Sequence, residues 1–331
     1  MLSNMKVLLI ILLLVATGAF WVLRDGSSTA PSTALLPDWQ ASDDPITAIK
    51  QVVLEQGGER IELQRQGQRW VLNGGFYANI DPLFMLLQSF KNAAIVEAKT
   101  ANPDNHAQVF LSTSDLKVSL HDQNGLMQAI HVGKVTTAGL TFVRFAEADQ
   151  TYTVSGLERI TFNLDSWQLK TVLDVPAEQI KSVLISPEDG EAVHIERADV
   201  ASPWELLNLP AGQEVHANAA FDSLAGGLTR LMIDAAEPVD LTDKTTLLSA
   251  TYGMFGGGEI TLVVQQAADE QHWLQVVSAQ HPEYAEWMMQ IAPYKFTALN
   301  QQLSDFIQPV TAAEAAATTE SEDDPVDPVI E

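Results

Sequence analysis

Residues 49–54 read IKQVVL and residues 180–185 read IKSVLI, and the fold follows from that pair. Ile49, Lys50, Val52, Val53 and Leu54 line up with Ile180, Lys181, Val183, Leu184 and Ile185. Further landmarks then come in the same order. Trp70, in RWVLN, meets Trp204, in PWELLN. Asp81, Phe84 and Leu87, in IDPLFMLLQSF, meet Asn218, Phe221 and Leu224, in ANAAFDSLAGGL. Leu116, Val118 and Leu120 fall opposite Ile260, Leu262 and Val264. The offset grows from 131 to 144 while the order holds, as loop insertions would leave it.

Within a copy the patterning is legible. Ile61 and Leu63 alternate with Glu62 and Gln64, the period of two that marks a half-buried strand, and Trp70 to Leu72 make another short one. Val193, Ile195 and Trp204 repeat this in the second copy. An amphipathic helix follows, opened by Asp81 with Pro82 at the first helical position, or by Asn218, because a side-chain oxygen there satisfies a free amide of the first turn. Leu83, Leu86, Leu87 and Phe90 share one face of it. Strands over 116–120, 128–132, 141–145 and 152–154 come next, then short helical turns over 157–169. Hairpin-spaced strands with one helix per copy predict an α+β fold, a tandem duplication of an antiparallel sheet with a helix packed on one face, preceded by one transmembrane helix. The expected divisions are an anchor over 1–24, a linker over 25–44, repeats over 45–175 and 176–310, and a disordered acidic tail over 311–331.

The anchor rests on Val7 to Leu23, VLLIILLLVATGAFWVL, a run without a charge. At ~1.5 Å per residue its 17 residues span about 26 Å, slightly under a hydrocarbon core of about 30 Å. Lys6 and Arg24 can reach the headgroups from either end, and Trp21 stands where an interfacial aromatic belongs. A cleaved signal peptide is the competing reading, with Thr17 and Ala19 as the small residues, but Phe20 to Leu23 would continue the apolar run past the cut. Lys6 on the short side favours an N-in orientation, which puts the body in the periplasm of a diderm bacterium. The linker is rich in Ser, Thr, Pro and Ala, and the tail has seven acidic residues and no basic ones.

With 18 basic against 43 acidic side chains the formal charge is −25. Such a chain is repelled by phosphate backbones, which excludes nucleic acid as a partner, and by anionic headgroups, which opposes electrostatic adsorption to lipid. The absence of cysteine removes disulfides, thiolate metal sites and cysteine nucleophiles.

Chemistry-bearing motifs are sparse. The histidines, at 106, 121, 131, 194, 216, 272 and 281, never stand at helical metal spacing, and the nearest approach is His194 with Glu196 on one strand face. Gly253, Gly256, Gly257 and Gly258 cluster in YGMFGGGEITL, but a strand follows them where a phosphate-cradling loop needs a helix, so a flexible turn is expected. No Gly-x-Ser-x-Gly elbow is present. Trp70, Trp204, Trp273 and Trp287 read as core, with a carbohydrate or peptide platform as the sharper alternative. No catalytic residue, metal ligand or cofactor is assigned.

Taken in order, the anchor, RWVLN, NIDPLFMLLQSF, the Tyr252-Gly253-Met254 step (only Phe110-Leu111 in the first copy), LKVSLHD, AIHVGK with Gly133, TFVRF, TYTV and WQLKTVLDVPAEQIKSVLI resemble the bacterial family known as domain of unknown function 4340. The resemblance spans residues 45–308. It implies a periplasmic companion of an ABC-type export system and brings no catalytic residues. The expected function is a membrane-anchored binding or scaffold protein, an accessory component of an ABC-type transporter complex with inner-membrane partners. The alternatives are a solute-binding module and an envelope hydrolase working through two carboxylates.

Overall fold

The computed structural model describes residues 33–41 and 44–310. The expected anchor over 1–24, residues 25–32 of the expected linker and the acidic tail over 311–331 lie outside the described residues. No helix among the described residues is long and apolar enough to cross a membrane. The chain divides into two compact units, the first ending at Gln168 and the second beginning at Leu169.

In the first unit, β1 (Thr33–Ala34) leads through two short helices, α1 (Pro37–Ala41) and α2 (Pro45–Ala48), into β2 (Gln51–Gln56), β3 (Glu59–Gln66) and β4 (Arg69–Leu72). Helix α3 (Ile80–Asn92) follows, then β5 (Ala94–Ala98), β6 (Lys117–Asp122), β7 (Gly125–Val135), β8 (Thr141–Phe145) and β9 (Thr151–Ser155). These strands form one antiparallel sheet in the order β1-β5-β9-β8-β7-β6-β2-β3-β4. Leu83, Leu86, Leu87 and Phe90 of α3 are buried against Val52, Leu54, Leu63, Val118 and Leu120 of the sheet. Burying each of those helix side chains contributes about 2 kcal/mol.

The second unit runs β10 (Thr171–Leu173), β11 (Ile180–Pro187), β12 (Val193–Glu196), β13 (Glu205–Leu206), β14 (Gln213–Val215) and α4 (Phe221–Ala225). It continues with β15 (Leu231–Met232), β16 (Ala235–Pro238), β17 (Lys244–Met254), β18 (Glu259–Ala267), β19 (His272–Val277), β20 (Trp287–Ile291), α5 (Pro293–Leu299) and β21 (Ile307–Pro309). Its main sheet is ordered β13-β12-β11-β17-β18-β19-β20-β16, with β10-β15 and β14-β21 as separate antiparallel pairs. Read from β16, that order is β5-β9-β8-β7-β6-β2-β3-β4 of the first unit, strand for strand.

Register refines the sequence alignment. Val52 faces Leu63 and Leu120, while Val183 faces Ile195 and Tyr252. Leu120 is therefore matched by Tyr252 and Val118 by Ala250, so Ile260, Leu262 and Val264 belong to the next strand along. Alternating apolar strands look alike one hairpin apart, which is why the residues misaligned. The Tyr252-Gly253-Met254 step accordingly ends a strand and has no counterpart at Phe110-Leu111.

The helix registers one residue away from the sequence alignment. Leu83, Leu86, Leu87 and Phe90 correspond to Phe221, Leu224, Ala225 and Leu228, all buried at the same i, i+3, i+4, i+7 spacing, whereas Phe84 is 55% exposed. The caps differ as well. Asn79 caps α3, accepting the Asp81 backbone N–H at 3.1 Å, and α4 begins after Ala220 with no side-chain cap, so neither Asp81 nor Asn218 has that role.

Two boundaries move. Residues 33–41 of the expected linker are part of the first unit, since β1 pairs with β5, the Leu35 N–H donates to the Ala93 carbonyl at 2.8 Å, and Leu35, Leu36 and Trp39 are buried. The Ser/Thr/Pro/Ala composition of the wider stretch masked these three apolar side chains. The division between units falls at 168/169 instead of 175/176, because Trp167 is buried in the first core while β10 pairs with β15 of the second unit.

Candidate functional site

The connection from the first edge strand to the long central hairpin differs sharply in length between the units. In the first, residues 99–116 join β5 to β6 through a 3-10 turn at Pro103–Val109, whereas only residues 239–243 join β16 to β17. The longer segment covers the sheet face opposite α3. Thr151 Oγ1 donates to the Thr100 carbonyl at 2.9 Å, and His106 Nε2 donates to the Asp149 carbonyl at 2.8 Å. Arg144 is buried without a carboxylate in hydrogen-bond contact. Its Nε donates to the Leu111 carbonyl at 3.2 Å and its Nη1 to the Ala148 carbonyl at 3.0 Å. Burial lowers its pKa. His131, opposite Arg144 in the ladder, is pushed down to about 4, first by burial and then by the Arg144 charge.

Gly133 makes the crossing possible, because a Cβ there would lie 2.1 Å from the Val109 carbonyl oxygen. Past the crossing, Phe110 takes a left-handed conformation at φ +57° and borders a cavity of about 570 Å³. Leu116, Val132 and Ile160 give that cavity apolar wall, and Asp115, Lys134, Glu158 and Arg159 its charged groups. Asp115 accepts the Ser112 N–H at 2.9 Å and Lys134 donates to the Gln108 carbonyl at 2.8 Å, so both latch the covering segment.

The buried arginine of the second unit is likewise held by backbone. Arg197 donates from Nε to the Ile180 carbonyl at 3.0 Å, and its guanidinium lies 4.4 Å from the Trp204 ring. Among the sequence-derived candidates, Glu196 pairs with Lys181 at 2.9 Å. Among the described residues no three His, Cys, Asp or Glu side chains converge as a metal site. Gly256, Gly257 and Gly258 form the hairpin turn between β17 and β18. Trp273 is buried, while Trp70 and Trp204 are half-buried beside the helices.

The surface feature that stands out lies on α3. Ile80, Phe84 and Met85 are 58%, 55% and 55% exposed, on the side away from the core. A cleft of about 440 Å³ runs beside them, lined by Ile46, Trp70, Leu83 and Leu87 with Arg65 and Asp81 at its polar positions. The equivalent positions of the second unit are Asn218, Asp222 and Ser223. There the Trp204 indole N–H donates to Asp222 at 2.9 Å, where the first unit sets Trp70 and Phe84 in an apolar cleft. In the alignment of the two copies Phe84 stands opposite Phe221, which is buried. The position of Phe84 off the Leu83-Leu86-Leu87-Phe90 stripe was the available sign that it faces outward.

The family model described as domain of unknown function (DUF4340) matches residues 70–252. No curated protein and no solved structure matches the chain.

Proposed function

The chain belongs to the domain of unknown function 4340 family, and from that membership we propose that it is a membrane-anchored periplasmic scaffold, an accessory component of an ABC-type transporter complex in the inner membrane. The anchor in this reading is Val7 to Leu23, inserted N-in. The observation that carries the proposal is the unequal charge of two units built on one strand order. Residues 33–168 hold ten basic and fifteen acidic side chains, while residues 169–310 hold six and twenty. The fold demands no such difference, so the charge belongs to what each surface meets. The less acidic first unit is repelled less by an anionic bilayer, and the strongly acidic second unit suits a partner with cationic patches.

The test is cross-linking of the full-length protein in native membranes, followed by mass spectrometry. Transporter subunits should be recovered, with cross-links concentrated on residues 169–310. Recovery of the protein alone, under conditions where known membrane complexes survive, would overturn the scaffold reading.

A further inference from the structure

We propose that the outward face of α3, built from Ile80, Phe84 and Met85 beside Trp70, docks on the surface of the lipid bilayer. The inference rests on the membrane-anchored reading above but concerns a contact that anchoring does not require.

The molecule supplies its own comparison. Helices α3 and α4 occupy equivalent places against equivalent sheets, and α4 with the 3-10 turn Gly226–Leu228 that follows it buries four side chains at the spacing of α3. Their outward positions differ in kind. Ile80, Phe84 and Met85 stand where the second unit has Asn218, Asp222 and Ser223. Packing therefore does not call for apolar groups there, and three large apolar side chains on adjacent turns of an exposed helix need an apolar environment. Trp70 borders the same patch, and its amphipathic ring suits the headgroup level of a bilayer.

Four observations select the bilayer as the occupant. The side chains protrude, each more than half exposed, as an inserting face does. The unit that carries them is the less acidic one, with ten basic against fifteen acidic side chains, so most of the repulsion from anionic lipid that the whole chain's charge implies falls outside it. Arg65 lines the cleft beside Ile80 and Phe84, placing a cation at headgroup depth against the single acid there, Asp81, and on the Met85 side Arg159 offsets Glu158. Finally, eight residues, Asp25 to Ser32, separate Arg24 from β1 and let the chain reach at most about 32 Å, which keeps the first unit near the membrane that holds the anchor.

The chain has no cysteine, so single labels can be placed without altering it otherwise. Full-length Phe84→Cys and Asp222→Cys variants, each carrying a nitroxide, would be reconstituted in vesicles of phosphatidylethanolamine and phosphatidylglycerol. Accessibility to a water-soluble nickel chelate and to lipid-soluble oxygen is then compared. The expected result is several-fold lower nickel accessibility and raised oxygen accessibility at position 84, with position 222 remaining aqueous. Equal aqueous accessibility at the two positions would overturn docking. Shielding at 84 from both quenchers would overturn the bilayer in favour of a protein contact. Release of the protein from the vesicles by alkaline carbonate would overturn the anchor and this inference with it, whereas retention with an aqueous position 84 would overturn the inference alone.

Discussion

At the scale of single residues, the buried polar groups decide how the units respond to acid and to substitution. His131 is buried beside the Arg144 guanidinium, and its pKa falls from 6.5 to about 4. The unfolded chain takes up a proton near pH 6.5 while the folded chain refuses it until about pH 4, so native stability is full above 6.5 and declines as pH falls through that window. The loss should reach about 3 kcal/mol by pH 4, since each pKa unit is worth about 1.4 kcal/mol. Urea denaturation between pH 7.5 and 4 should show the first unit weakening, with His131→Leu flattening the slope; an unchanged slope in that variant would refute the assignment. Tyr252 poses the converse case. Its hydroxyl is buried without a hydrogen-bond partner, and burial raises its pKa. A Cβ at Gly227 would come within 2.2 Å of that oxygen. Tyr252→Phe should leave stability unchanged or raise it by about 1 kcal/mol, since the hydroxyl's desolvation is uncompensated. Gly227→Ala should destabilise in the native background and much less in Tyr252→Phe, a coupling that a double-mutant cycle of thermal melts reads directly.

At the scale of elements, the helices show what the sequence could and could not disclose. The stripe Leu83-Leu86-Leu87-Phe90 was legible because a period of 3.6 survives without tertiary knowledge. The cap was not, because Asn79, Asp81 and Pro82 all suit the start of a helix and only backbone geometry chooses among them. Asn79→Ala should therefore cost about 1 kcal/mol, and Asp81→Ala only a few tenths through the helix dipole. Comparable losses from both, measured by urea titration, would contradict the observed cap. The strand alignment erred for a related reason. Leu116-Val118-Leu120 and Ile260-Leu262-Val264 share a period of two, and every strand with one buried face has it. What fixes the true correspondence is ladder register, a non-local property. The outward position of Phe84 was legible from the wheel, since it lies off that stripe, but aligning it with the buried Phe221, one residue out of register, hid the difference between the two copies.

At the scale of the whole molecule, each unit has its own core but not its own share of charge. The first carries ten basic against fifteen acidic side chains, the second six against twenty. Self-repulsion therefore falls chiefly on the second, and it should ease when salt shortens the screening length from about 30 Å at 0.01 M to about 8 Å at 0.15 M. Urea unfolding of the full chain should accordingly resolve into two transitions, of which one moves to higher denaturant with sodium chloride and the other hardly moves. The substitutions above tell them apart, because Asn79→Ala lowers only the transition of the first unit and Gly227→Ala only that of the second. If the salt-sensitive transition is the one that Gly227→Ala lowers, the acidity of the second unit is held at a measurable expense of stability, as expected of a surface retained for a partner. If salt moves both transitions equally, the charge difference has no consequence for folding, and the partition would no longer support separate roles for the two units.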